Sequence, residues 1–134
     1  MLVERKPFLL VVSGPSGVGK STIARGLLER SDDIDLSISL TTRRARKGEK
    51  EGEEYKFVSV EEFEAARERG ELLEWAEVHG NLYGTPAAFV RRTLDRGRNV
   101  LLEIDVQGGM SVKERMPDAV LIFLLPPSFE ELER

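Results

Sequence analysis

The sequence predicts an α/β fold with a mainly parallel sheet. Segments of strand character alternate with segments of helical character along the 134 residues. The first segment, 8–13, is a short apolar run, and a glycine-rich turn connects it to residues 22–30, which have helical spacing. Two further apolar runs, 99–104 and 119–125, have the composition of strands buried on both faces of a parallel sheet. These observations indicate a single domain in which helices flank parallel strands.

Composition and charge narrow the classes of function. Hydrophobic residues make up 40% and charged residues 33% of the chain, as in soluble globular proteins. A formal net charge of −4 gives no electrostatic basis for binding nucleic acid, so none is expected. The absence of cysteine excludes disulfides, thiolate catalysis and cysteine-ligated zinc. The sequence lacks a signal-peptide pattern and a long apolar run, so we expect a cytoplasmic protein without membrane contact.

Residues 14–21, Gly-Pro-Ser-Gly-Val-Gly-Lys-Ser, match the phosphate-binding pattern G-x-x-x-x-G-K-[ST] at every fixed position. Its glycines permit backbone angles that turn successive N–H groups toward one anion. Lys20 is expected to reach the β/γ-phosphates of a nucleoside triphosphate, and the Ser21 hydroxyl is expected to ligate Mg²⁺. Because the loop connects a strand to a helix N-terminus, a site for nucleotide phosphates is predicted. The residues assigned to it are Gly14, Pro15, Ser16, Gly17, Val18, Gly19, Lys20, Ser21 and Thr22.

The middle of the chain predicts short strands around one long loop. Residues 36–40 alternate apolar and polar like a half-buried strand, and 55–59 predict another strand. Between them, 41–54 is dense in charge and predicts an exposed loop. Ser59 and Glu62 form a capping box that opens a helix.

The next elements follow from capping and turn signals. The helix opened by the capping box is expected to end at Gly70, and a strand is expected over 72–78. A second helix, with Pro86 in its first turn, is predicted to end near Gly97. Residues 108–115 predict a further helix.

The end of the chain carries a second capping box, Ser128 with Glu131, which opens a helix that has barely begun at Arg134. Because an isolated helical turn is not stable, we expect the chain to be truncated here. A following strand would then be missing, and residues 120–125 are expected to form an exposed apolar edge.

Two groups of residues outside the phosphate loop suggest a second binding site. Arg43 and Arg46, in the basic loop, could converge on one phosphate through bidentate hydrogen bonds, with a solvated run of charge as the alternative. The only histidine, His79, lies beside Gly80 and is interpreted as a surface residue of a turn.

Glu74 is the candidate for base recognition. Strict alternation places it on one strand face with Leu72 and Ala76, and places Trp75 on the other. A carboxylate among apolar neighbours needs hydrogen-bond donors to offset its lost hydration. Guanine offers two parallel donors, N1–H and the 2-amino group, whereas adenine offers an acceptor at N1. A surface glutamate at a strand edge is the alternative that the residues leave open.

In their order along the chain, these motifs resemble guanylate kinase from one end to the other. The motifs are the phosphate loop, Ser39, Thr41-Thr42-Arg43-x-x-Arg46-x-Gly48-Glu49, Tyr55-x-Phe57-Val58-Ser59, Glu74-Trp75-Ala76, Asn81-x-Tyr83-Gly84-Thr85, Glu103-Ile104-Asp105-x-Gln107-Gly108 and Pro126-Pro127-Ser128. The resemblance implies the P-loop nucleoside monophosphate kinase fold, with a parallel core sheet flanked by helices and an inserted mixed-β subdomain that binds GMP. It assigns 1–35 and 86–134 to the nucleotide-binding core and 36–85 to the GMP-binding subdomain of an incomplete domain, 1–134.

The resemblance also implies a reaction, transfer of a phosphoryl group from MgATP to GMP to give ADP and GDP, with Mg²⁺ as cofactor. It gives catalytic roles to Lys20, Arg43 and Arg46. The implied GMP-binding residues are Ser39, Glu74 and Thr85 at the guanine, Arg43, Arg46, Tyr55 and Tyr83 at the phosphate, and Asp105, which helps to orient the nucleotide. Asp105 also follows an apolar strand, where a Mg²⁺ contact through water is plausible, with a helix N-terminal acid as the alternative.

Other readings of the same resemblance stay open. Some guanylate-kinase-like domains are non-catalytic modules that bind phosphopeptides, but they usually degrade the phosphate loop, which is intact here. A kinase for AMP or UMP is a second alternative. Family members continue past residue 134 into a lid with arginines, a final strand and helices, so we expect this chain to keep GMP contacts with little turnover. Either a monomer or a homodimer is expected.

Overall fold

The computed structural model of the chain describes residues 6–15, 19–53 and 55–125. This part forms two four-stranded sheets and four helices, and none of its helices is long and apolar enough to cross a membrane. The predicted helix at 128–134 lies outside the described residues. In chain order the elements are β1 (Leu9–Ser13), α1 (Lys20–Arg30), β2 (Ile34–Leu36), β3 (Leu40–Thr41), β4 (Lys56–Phe57), α2 (Val60–Glu68), β5 (Leu72–Val78), β6 (Asn81–Pro86), α3 (Ala87–Asp95), β7 (Asn99–Ile104), α4 (Val106–Arg115) and β8 (Val120–Phe123).

The first sheet, in the order β2-β7-β1-β8, is parallel throughout, as the sequence predicts. All five residues of β1 are buried, because helices cover both faces. Leu9 and Val11 pack in one core with residues of α3 and α4, whereas Leu10 and Val12 pack in another with Ala24 of α1. The continuous apolar run in β1 therefore follows from burial on both faces of a parallel sheet.

Strand β8 forms one edge of this sheet in the described part of the chain, and it is shorter than the predicted 119–125. Val120 and Phe123 are exposed, in agreement with the apolar edge expected there.

The second sheet, in the order β4-β3-β6-β5, is mixed, because β3 pairs with β4 in parallel and with β6 in antiparallel orientation. A turn at His79 and Gly80, both with positive φ, joins β5 to β6. The capping box of Ser59 and Glu62 is present at the start of α2, and Phe63 of that helix is completely buried against this sheet.

Two predicted elements differ from the structure where the chain changes sheets. Residues 36–40 are not one strand, because β2 belongs to the first sheet and β3 to the second. The Ser37 N–H still donates to Leu101 of the first sheet, while the Ser39 carbonyl already accepts from Lys56 of the second. Strand β6 is not predicted at all, and Pro86 is its last residue and the N-cap of α3 rather than a residue of the first helical turn.

A β-bulge in β5 corrects the predicted face of Leu72. The register pairs Leu72 with Pro86 and Glu74 with Thr85, which leaves Leu73 as an extra residue on β5. Leu72 therefore packs with Phe63 on the α2 side, whereas Glu74 lies on the opposite face. Alternation fails at this point because the two strands contribute unequal numbers of residues.

Candidate active site

A cavity of about 160 Å³ lies between the two sheets. Every residue that the sequence assigns to GMP lines it except Thr85, which is buried and donates to Glu74. The lining residues are Lys20, Ser39, Arg43, Arg46, Tyr55, Glu74, Val78, Tyr83, Glu103, Ile104 and Asp105.

Helix α1 begins with Lys20, which lines this cavity. Gly19, its N-cap, has φ 101°, a backbone angle that favours glycine. Because glycine offers no side chain to cap the helix, the first N–H groups of α1 are available to an anion. Of the predicted phosphate loop, Ser16, Gly17 and Val18 lie outside the described residues.

A hydroxyl and a carboxylate meet beside this helix start. The Ser21 Oγ donates to Glu103 Oε1 at 2.7 Å. These two oxygen groups suit Mg²⁺, which binds through one or two protein oxygens together with substrate phosphates. Glu103 belongs to the motif Glu103-Ile104-Asp105, but no role was predicted for it, although an acid at the end of an apolar strand is a signal for a metal contact.

Asp105 lies at a helix N-terminus, which is the alternative role that the sequence left open for it. Its side chain caps α4 by accepting from the Gly108 N–H at 3.1 Å. The carboxylate also lines the cavity, so its roles toward the nucleotide and toward Mg²⁺ stay predictions.

Glu49 organises the basic loop, although, as for Glu103, no role was predicted for it. The Arg43 guanidinium donates in bidentate fashion to Glu49, with Nη1–Oε1 at 2.9 Å and Nη2–Oε2 at 3.1 Å. The Arg46 N–H donates to the same carboxylate at 2.7 Å. These bonds lower the pKa of Glu49, with Arg43 as the main cause, and Glu49 in turn raises the pKa of Arg43. The alternative of a freely solvated charge run is thus wrong for Arg43, whose side chain is only 11% exposed.

Aromatic side chains surround the Arg43 guanidinium. Its Cζ lies 5.1 Å from the Tyr55 ring centroid and 6.0 Å from that of Phe57. The Tyr55 and Tyr83 rings meet edge to face at 5.9 Å. Burial raises the pKa of Tyr55, so its phenol stays neutral and remains a donor near neutral pH.

Glu74 also lines the cavity and is only 3% exposed. The alternative of a surface glutamate is therefore wrong. Thr85 Oγ1 donates to Glu74 Oε1 at 2.8 Å within the buried region. Burial raises the pKa of Glu74 to about 7, since one hydroxyl offsets only part of the lost hydration. A Cβ added to Gly108 would lie 2.9 Å from Glu74 Oε2, so helix α4 approaches this carboxylate closely through a glycine.

Comparisons with known proteins show which family the chain resembles. The guanylate kinase family profile matches residues 5–134. A guanylate kinase from Aromatoleum aromaticum is 54% identical over 125 residues, which are 93% of this chain and 61% of that protein. A guanylate kinase from Syntrophomonas wolfei is 54% identical over 130 residues, 97% of this chain and 67% of that protein. The chain thus spans about two thirds or less of the length of these relatives.

A solved structure has the same fold. The crystal structure of guanylate kinase from Anaplasma phagocytophilum superposes with a TM-score of 0.87 at 46% identity, covering 99% of this chain and 68% of that chain. With the family profile matched over nearly all of its residues, the chain belongs to the guanylate kinase family.

Proposed function

We propose that the whole protein transfers a phosphoryl group from MgATP to GMP, producing ADP and GDP, and that this chain carries the GMP site. The observation that supports this most is the buried Glu74 carboxylate, held by Thr85 in the lining of a cavity that Lys20 and the arginines of the basic loop also line. A guanine base and a phosphate group need these two environments at once.

Base recognition follows from the hydrogen-bonding capacity of Glu74. Thr85 occupies Oε1 with one donor, and a carboxylate accepts several. Guanine N1–H and its 2-amino group would supply parallel donors to this carboxylate. Adenine would place its N1 acceptor against the carboxylate. The two acceptors would repel each other, and no hydrogen bond would offset the water that each of them loses. Ser39, also buried at the cavity wall, is the further proposed guanine contact.

The acceptor phosphate would bind at Arg43, Arg46, Tyr55 and Tyr83. Glu49 and the aromatic rings hold Arg43 in place before the ligand arrives, which reduces the ordering cost of binding. The tyrosine hydroxyls donate hydrogen bonds without adding charge. The acceptor oxygen of GMP is already ionised near neutral pH, so no general base is required, and the residues act by positioning and charge stabilisation.

The donor nucleotide would bind at the start of α1. Its phosphates would take the free N–H groups of that helix and the Lys20 ammonium. Ser21 and Glu103 would hold Mg²⁺, with Asp105 as the further predicted contact through water. When bound, Mg²⁺ neutralises charge on the phosphates of the donor nucleotide.

Calorimetric titration of the chain with GMP, AMP and UMP tests the acceptor site. We expect GMP to bind roughly 100-fold more tightly than either competitor, since two hydrogen bonds to a buried carboxylate discriminate between the bases. ADP release with ATP and GMP tests transfer in the whole protein. Binding of a phosphoserine peptide without binding of GMP would instead support the phosphopeptide module.

A further inference from the structure

The bulge in β5 has a partner on helix α4. Arg115, the last residue of that helix, donates from Nη1 to the Leu73 carbonyl at 2.7 Å. Leu73 is the extra residue of the bulge, and the register gives it no opposite residue on β6. The guanidinium therefore binds the backbone of the bulge itself.

The bulge decides where the Glu74 side chain points. It breaks the alternation between Leu72 and Glu74, so that Leu72 packs against α2 while Glu74 lines the cavity. A bulge can shift or relax more easily than a regular ladder, because its extra residue is held by fewer cross-strand bonds. A contact that fixes the Leu73 carbonyl thus constrains the residue that follows it.

Helix α4 holds β5 near both of the helix ends. Its first turn approaches Glu74 through Gly108, where a Cβ would lie 2.9 Å from Oε2. Val112, in its middle, belongs to the same apolar core as the Leu73 side chain, and its last residue binds the Leu73 carbonyl. The helix has ten residues, a length of about 15 Å, so one rigid element spans the region from the carboxylate to the bulge.

We propose that Arg115 is a positioning residue for guanine recognition, which holds the bulge at Leu73 so that the Glu74 carboxylate enters the cavity in one direction. This inference rests on the proposed GMP site. Two charged groups at the ends of α4 act on Glu74: Asp105 raises the pKa of Glu74, whereas Arg115 lowers it and favours the ionised form. The contact with Leu73 and the charge of Arg115 thus both favour Glu74 as an acceptor.

Paired titrations with GMP and IMP test the inference, because IMP lacks the 2-amino group and makes fewer demands on the direction of the carboxylate. We expect the unmodified chain to prefer GMP over IMP by roughly 10- to 100-fold. Arg115→Met should weaken GMP binding roughly 10-fold and IMP binding much less, which narrows the preference. Arg115→Lys keeps a cation and a hydrogen-bond donor, so it should restore most of the preference for GMP over IMP. Arg91→Met, in an exposed position of α3, is the control of equal charge change and should leave the preference intact.

The outcomes separate positioning from general stability. Urea unfolding of each variant measures stability independently of the preference. If Arg115→Met keeps the full preference for GMP over IMP, whatever its stability, the inference is overturned and the proposed GMP site is unaffected. The same holds if Arg115→Lys folds but has the reduced preference of Arg115→Met. If the unmodified chain does not bind GMP, the proposed function fails and the inference fails with it.

Discussion

Glu49 and Glu74 belong to the same candidate site but have opposite environments, since Glu74 lines the cavity and Glu49 binds Arg43, which lines it. Glu49 accepts three hydrogen bonds, two from the Arg43 guanidinium and one from the Arg46 N–H, and these contacts lower its pKa. Glu74 has one hydroxyl partner in the described part of the chain, and burial raises its pKa to about 7. The protein supplies several donors to one carboxylate and, in the described part of the chain, a single donor to the other, which we propose that guanine completes.

This difference shows how stability and recognition divide within one site. The satisfied carboxylate organises the basic loop and keeps Arg43 ready for an anion. The unsatisfied carboxylate costs folding free energy, because a buried charge with one partner is poorly compensated. A binding site commonly carries such a cost where its ligand supplies the missing donors.

The largest expected effect is that of Glu74→Gln on GMP binding. The amide presents an NH₂ group where guanine donors would bind, so we expect GMP affinity to fall by roughly 100-fold or more. Glu77→Gln, an exposed change on the same strand, is the matched control and should bind GMP normally. Calorimetric titration measures both, and equal affinities for the two variants would remove Glu74 from the account of base recognition.

The pH dependence of stability gives the next effect. Glu74 has a folded pKa of about 7, above its ordinary value of 4.5, so its protonated form favours folding. Its stabilising contribution is fully present below pH 4.5 and is lost as the pH rises through 7. The free energy of unfolding, relative to Glu74→Gln, should therefore fall by on the order of 3 kcal/mol from pH 4.5 to pH 8. Urea unfolding of the two proteins across this range checks it, and a difference that stays constant with pH contradicts the raised pKa.

A smaller effect is expected for Glu49→Gln. Without the bidentate partner, Arg43 loses its fixed orientation, and GMP should bind roughly 5- to 10-fold more weakly. The preference for GMP over IMP should not change, since Glu49 is at the phosphate end of the site. Titration with both nucleotides measures the two quantities. Tighter GMP binding by the variant would mean that Glu49 competes with the GMP phosphate for Arg43 instead of holding Arg43 in place for it.

Local sequence signals predict three strands of the first sheet, β1, β7 and β8, and the helix that follows Gly19. The apolar runs of β1 and β7, the glycine before Lys20 and the capping box at Ser59 each act over a few residues, so their patterns are visible in the chain. Glu74 and the arginines were predicted as site residues from their distinctive chemistry, and they line one cavity, while their roles stay predictions.

The second sheet depends on partners far along the chain, and the sequence predicts it less completely. Strand β6 contains Gly84 and Pro86, which disfavour strands, and it forms because β3 and β5 pair with it on both sides. The bulge at Leu73 arises from the register of two strands, which no single segment encodes. Contacts such as Arg115 with Leu73, separated by 42 positions, are invisible to local patterns.

The titration of Glu74 itself tests the central claim most directly. Carboxyl ¹³C resonances, assigned by comparison with Glu74→Gln, can be followed against pH with and without GMP. We expect a midpoint near 7 in the free chain and a lower midpoint with GMP, because two added donors stabilise the carboxylate. A midpoint near 4.5 in the free chain, or one that saturating GMP leaves unchanged, would contradict the account of Glu74 as the carboxylate that recognises guanine.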